Sequence, residues 1–188
     1  MAEQGSGIAQ YIMGRMYDDD GGFALDYAES AKWYRKTVIQ GEALAQLNLG
    51  QLYHKGQGVP EDYLQAADWT RKAAEQGNPM AQTNLGLMFS TGQGVARSQT
   101  EAAKWFQAAA EQGYPKAQLS LGVCYANGQG VPQDNRQALV WFTLAAASGN
   151  ERAKRYLQQL ELLMTPSEIA QAREMAESRW PKGTTFSR

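Results

Sequence analysis

Apolar residues in this chain recur at helical spacing and stop at glycine-rich breaks. Ala45, Leu49, Leu52 and Tyr53 lie on one helical face, and the run ends at Gly56-Gln57-Gly58-Val59-Pro60. Ala66, Trp69 and Ala73 continue the pattern in a second helix that Gly77 ends. The same pair of runs returns along the chain with a fixed period. Tryptophans stand at Trp33, Trp69, Trp105 and Trp141, 36 residues apart. Glycines keep the same step at Gly5, Gly41, Gly77, Gly113 and Gly149, and alanines at Ala9, Ala45, Ala81, Ala117 and Ala153. Two more ladders are Gly14, Gly50, Gly86, Gly122 and Tyr17, Tyr53, Phe89, Tyr125. A period of this length predicts stacked helix-turn-helix units.

Start signals agree with that reading. Asp26, Asp62, Ser98 and Asp134 stand three residues before Glu29, Gln65, Glu101 and Gln137, the spacing of a capping box at the start of each second helix. A glycine within a helix costs about 1 kcal/mol relative to alanine, so the mid-helix glycine ladder predicts close approach of the paired helix. The units run 5–40, 41–76, 77–112 and 113–148, followed by a divergent unit at 149–180 and a tail at 181–188. In the first unit the loop reads Asp20-Gly21-Gly22 instead. In the last, a helix is predicted to about Met164. Thr165-Pro166-Ser167-Glu168 then supplies a cap, a first-turn proline and a reciprocal glutamate for a closing helix to about Ser178, before Trp180-Pro181. Polar residues there, such as Gln171, Arg173, Glu174 and Glu177, suit a unit that seals the end of a stack. The predicted fold class is all-α: a right-handed α-solenoid of about ten helices forming a single domain.

Composition narrows the function. A formal net charge of -1 on 188 residues offers no electrostatic footprint for nucleic acid or an anionic membrane. No run approaches the roughly 18 apolar residues that span a bilayer. One cysteine, Cys124, excludes an intramolecular disulfide. The N-terminal residues lack a signal peptide's basic and apolar regions. The expected compartment is therefore the cytoplasm, unless an export leader has been trimmed, which would make it periplasmic or secreted.

The unit Gly77-x3-Ala81-x3-Leu85-Gly86-x2-Phe89-x2-Gly92-x-Gly94-Val95, followed by Ala102-x2-Trp105 and Ala109-Ala110, resembles the Sel-1-like repeat, a cousin of the tetratricopeptide repeat. The resemblance covers residues 5 to about 180. It implies an adaptor or scaffold, most often bacterial, that binds a protein or peptide in a concave groove and does no chemistry. One branch of the family carries a cysteine pair in each repeat; this chain does not.

By analogy with the groove positions of tetratricopeptide relatives, the candidate partner-binding residues are Tyr11, Arg15, Leu47, Asn48, Gln51, Asn84, Leu87, Ser120, Val123, Asn127, Arg152 and Arg155. Asn48, Asn84 and Ser120 share one register and offer donors and acceptors for an extended peptide, with Leu47, Leu87 and Val123 as apolar pockets. A plain solvated helix face is the competing reading. Positive Lys116, Arg152 and Arg155 lie toward one end and Asp18 to Asp20 toward the other, so an extended partner should place its acidic groups at the C-terminal end.

No catalytic constellation emerges. His54 and Cys124 sit on different units, without the third group that a nucleophile pair needs. Asp18, Asp20 and Asp26 with Gly22 lack the spacing of a calcium loop, and capping explains Asp26 better. The strict register of the tryptophans marks core packing rather than sugar stacking. The expectation is a non-enzymatic monomer without cofactor or metal, binding a protein or peptide. The alternative is an inhibitor or immunity-type protein that blocks a toxin or hydrolase through a folded interface.

Overall fold

A computed structural model describes residues 6–19, 24–39 and 41–179; the Asp20-Gly21-Gly22 loop, Trp180-Pro181 and the tail at 181–188 lie outside them. The described residues form ten α-helices and no strand. The chain divides into two compact units, one up to Arg97 and one from Ser98. The first holds α1 (Gly7–Asp18), α2 (Tyr27–Val38), α3 (Ala43–Lys55), α4 (Tyr63–Glu75) and α5 (Pro79–Thr91). The second holds α6 (Gln99–Glu111), α7 (Pro115–Asn127), α8 (Asn135–Ala147), α9 (Glu151–Glu161) and α10 (Pro166–Arg179).

Second helices begin where the caps predict. Asp26 accepts from the N–H of Glu29, Asp62 from Leu64 and Gln65, Ser98 from Glu101, and Asp134 from Arg136 and Gln137. At three of these caps the backbone N–H has a different use from that of a capping box. Asp26, Asp62 and Asp134 donate theirs to the carbonyls of Tyr17, Tyr53 and Tyr125, each at 3.0 Å. That bond ties each second helix to the aromatic step of the helix before it. The complete reciprocal box occurs at α10, where Thr165 N–H donates to Glu168 at 2.9 Å and Glu168 N–H to Thr165 Oγ1 at 3.3 Å. First helices have caps of their own: Asn78 accepts from Ala81 N–H ahead of Pro79, and Asn150 from Ala153 N–H.

Gly14, Gly50 and Gly122 of the mid-helix ladder show the predicted close approach. A Cβ on Gly14 would stand 2.6 Å from the Tyr34 ring, and one on Gly122 would stand 2.5 Å from the Phe142 ring. Each ring occupies the space that a side chain on the partner helix would need. Around Tyr34 the core gathers Ala31, Val38, Ala45, Leu49, Leu52 and Val59.

Successive repeats stack through two further features. The second glycine of each Gly-x-Gly turn meets the start of the preceding second helix, Gly58 at Tyr27, Gly94 at Tyr63 and Gly130 at Gln99. Buried Gln82 and Gln118 donate to the carbonyls of Ala74 and Ala110, in the last turn of the preceding repeat's second helix. Gln46 differs, accepting from Gln76 of its own repeat at 2.8 Å. With Gln10 these form a buried glutamine ladder in strict register.

The tryptophans are less uniform than their register implies. Trp33 and Trp141 are buried, whereas Trp69 and Trp105 are half-buried. Cations lie over two of the rings: Lys36 lies 4.1 Å from the Trp33 ring centre and Lys72 lies 4.0 Å from that of Trp69. The closing helix α10 packs on α8 through Ala172 and Ala176, with Arg179 over Trp141 at 4.6 Å.

Two predictions follow from these contacts. Gly77 has φ +87 and open space around its Cβ direction, so Gly77→Ala should cost only the left-handed penalty of about 1–2 kcal/mol. Gly94, at φ +69, would place a Cβ 1.8 Å from the Tyr63 carbonyl oxygen, so Gly94→Ala should cost clearly more in urea denaturation. At α10, the bonds from Thr165 hold the Glu168 carboxyl below its ordinary range. A lowered folded value means that its stabilisation is present above the unfolded pKa and lost as pH falls through the folded one. Thr165→Ala should raise the Glu168 midpoint, read by carboxyl NMR titration.

Candidate functional site

The candidate residues separate into those used by the fold and those left available. Leu47 is the clearest correction: it is 1% exposed, as its helix turns that position inward. Its register equivalents Thr83 and Leu119 are buried too. The groove positions of relatives with shorter units therefore do not transfer at this step.

Asn48 is also committed to the fold. Its Nδ2 donates to the Tyr34 hydroxyl at 2.8 Å, and that hydroxyl donates to the Asp18 carboxylate. Burial and the Asp18 carboxylate push Tyr34 well above the ordinary phenol range; burial also raises Asp18, partly offset by the Tyr34 bond. Arg15 pairs with Asp19 at 2.8 Å and Asp18 at 3.5 Å, and its pKa is raised, chiefly through Tyr11 and then Asp19. Tyr11 packs on Tyr34 with ring centres 6.0 Å apart. The acidic residues Asp18 and Asp19 are thus compensated from within the chain, and Asp20 lies outside the described residues. Ser120 is half-exposed, but its hydroxyl donates to Lys116 O at 3.0 Å on its own helix.

The remaining candidates line clefts. In the first unit a cleft of about 530 Å³ between α3, α4 and α5 collects Gln51, Asn84 and Leu87, with His54, Lys55, Thr70, Met88 and Thr91. In the second, a cleft of about 340 Å³ between α7, α8 and α9 collects Val123 and Asn127, with Phe142, Tyr156, Gln159, Leu160 and Leu163. These are the same site two repeats apart. Gln51, Lys55, Thr70, Asn84 and Leu87 correspond to Val123, Asn127, Phe142, Tyr156 and Gln159. The shared register was not recognised in the sequence because the residue types differ.

Arg152 and Arg155 line a smaller recess of about 190 Å³ with Tyr156 and Gln159, two residues that also line the second cleft. Both arginines are exposed and form no ion pair among the described residues. Asn84 makes no side-chain hydrogen bond among them, and Leu87 is 47% exposed. Cys124 is 3% exposed, and burial pushes its thiol up to about 11, so it is neutral at physiological pH. His54 meets Tyr63 edge-on at 5.3 Å. Among the described residues no helix is long and apolar enough to cross a membrane.

The repeat geometry agrees with comparison to known proteins. The Sel1 repeat model matches residues 7–42, 43–78, 79–114 and 115–150. A Sel1 repeat protein from Oxalobacter formigenes is 35% identical, with a TM-score of 0.79 over 95% of this chain and 75% of that one. A protective antigen of uropathogenic Escherichia coli with an SLR fold is 30% identical, at TM-score 0.63, over 95% of this chain and 46% of its own. An immunity protein from Pseudomonas aeruginosa shares the fold at 22% identity and TM-score 0.56, over 94% of this chain and 70% of that one. No curated protein matches in sequence. With four matched repeats covering most of its length, the chain belongs to the Sel1 repeat family.

Proposed function

We propose that this protein is a non-catalytic binding module that engages a protein or peptide along the exposed faces of its first helices. Sel1 repeat proteins are generally interaction scaffolds, which supports the class of function. The observation that carries the reading for this chain is the pair of register-equivalent clefts. Each joins apolar walls, Leu87 and Met88 in one and Val123 and Leu160 in the other, to amide side chains at Asn84 and Asn127. That mixture suits an extended peptide, whose amides need partners and whose side chains need pockets. Arg152 and Arg155 add charge without an internal counterion, so acidic residues of the partner belong beside the second cleft.

Affinity capture from the source cell's lysate tests the reading. The native chain is compared with a variant carrying Asn84→Arg, Leu87→Asp, Val123→Asp and Asn127→Arg, both checked for folding by circular dichroism. A partner held by the native chain and lost by the folded variant is the expected result. Equal capture by both contradicts it. Capture that also requires the partner to be folded, with loss of the partner's own activity, would indicate a blocking inhibitor in place of a scaffold.

A further inference from the structure

The four repeats carry Tyr34, Thr70, Phe106 and Phe142 at one register position, the centre of each second helix. Tyr34 and Phe142 each lay a ring on the glycine of the preceding first helix, Gly14 and Gly122. In the second repeat Gly50 is present but the ring is not. The nearest atom to a Cβ on Gly50 is Thr70 Oγ1 at 2.9 Å. At Gly50 the nearest atoms are instead that hydroxyl and the backbone of α4, and no aromatic side chain among the described residues stands there.

The consequence appears in the clefts. The one over Gly50 and Thr70 has about 530 Å³, against about 340 Å³ for its equivalent, where Phe142 sits stacked with Tyr156 at 5.4 Å. Gly50 and Ala66 line the first cleft, whereas their register equivalents Gly122 and Ala138 do not line the second. Thr70 is 4% exposed, lines the cleft, and its hydroxyl has no hydrogen-bond partner among the described residues. The hydroxyl is not among the fully buried unpartnered polar atoms, so solvent reaches it and a ligand group can bond it in place of water.

We propose that the Gly50–Thr70 cleft is a binding site for a tyrosine side chain of a peptide or protein partner, flanked in the partner by a carboxylate. This rests on the peptide-binding reading above and names what one cleft takes. The ring would lie in the cleft over Thr70, against Leu87 and the thioether of Met88, a sulfur that favours aromatic contact. Its hydroxyl would meet Thr70 Oγ1. Asn84 would bond the partner's backbone amide, and Lys55, which forms no salt bridge among the described residues, would face the carboxylate.

The probe is the capped peptide acetyl-Asp-Tyr-Asp-amide, titrated into the full chain and followed by amide NMR, with acetyl-Asp-Ala-Asp-amide as control. Saturable shifts should centre on Gly50, Ala66, Thr70 and Leu87, and the alanine peptide should bind about tenfold more weakly or less. Thr70→Phe restores the ring found in the other repeats and should remove the shifts while the melting temperature holds or rises. Should that variant fold poorly, Leu87→Ser on the cleft wall provides the same test. Absence of shifts, equal binding of the alanine peptide, or unchanged binding in a folded filled variant would each overturn the assignment. If the lysate partner is still lost by the four-site variant, that result would leave the broader binding reading standing while this one falls.

Discussion

The structure depends on an aromatic ring lying on a glycine. Within the repeats that show it, a second-helix ring occupies the space that a first-helix side chain would otherwise need, as Phe142 does on Gly122 and Tyr34 on Gly14. A glycine in mid-helix costs about 1 kcal/mol, and full burial of a large apolar side chain returns roughly 1.5–3 kcal/mol. The ring therefore wins, provided the helices remain close. That closeness lets small residues dominate the interior: Ala45, Ala66, Ala73, Ala81, Ala117 and Ala138 are all fully buried.

Once the helix pair is set, the connections between repeats are made by close glycine turns and buried glutamines. The turn after a first helix brings its second glycine against the start of the preceding second helix, where a Cβ would collide with backbone. Gln82 and Gln118 reach back to carbonyls in the last turn of that same helix, which also accept from the N–H of the glycine that follows it. The third and fourth repeats are thus fastened to their predecessors at both ends of one helix. Stability in such an arrangement is spread among neighbouring contacts. Side chains on the outer faces of the first helices are then free to vary, which is where the clefts and the unpaired arginines lie.

Much of this architecture was legible before any coordinates, because ladders of identical residues mark identical environments. The capping positions, the breaks at glycine and the Thr165–Glu168 box are local, and local chemistry determined them. Individual groove residues were less legible. Leu47 and Asn48 look alike as exposed candidates until the helix phase turns Leu47 inward and Tyr34 claims Asn48. The glutamine ladder escaped notice because a polar residue reads as a surface residue unless its acceptor is known. The ring position escaped because tyrosine, threonine and phenylalanine share no obvious label. Only the atoms nearest each glycine, a hydroxyl and helix backbone at Gly50 but a ring at Gly14 and Gly122, reveal that one repeat in the series differs.

A double-mutant cycle on Gly122 and Phe142 tests the ring-on-glycine contact most directly. Gly122→Ala in the native background should destabilise by about 1–3 kcal/mol, since the added methyl forces the ring out of place. In a Phe142→Ala background the same change should cost nothing or stabilise, because alanine is the better helix former and the obstacle is gone. Strong coupling of that sign, measured by urea unfolding, is the predicted result. An equal cost in both backgrounds would contradict the account, placing the role of the glycine elsewhere than beneath the ring.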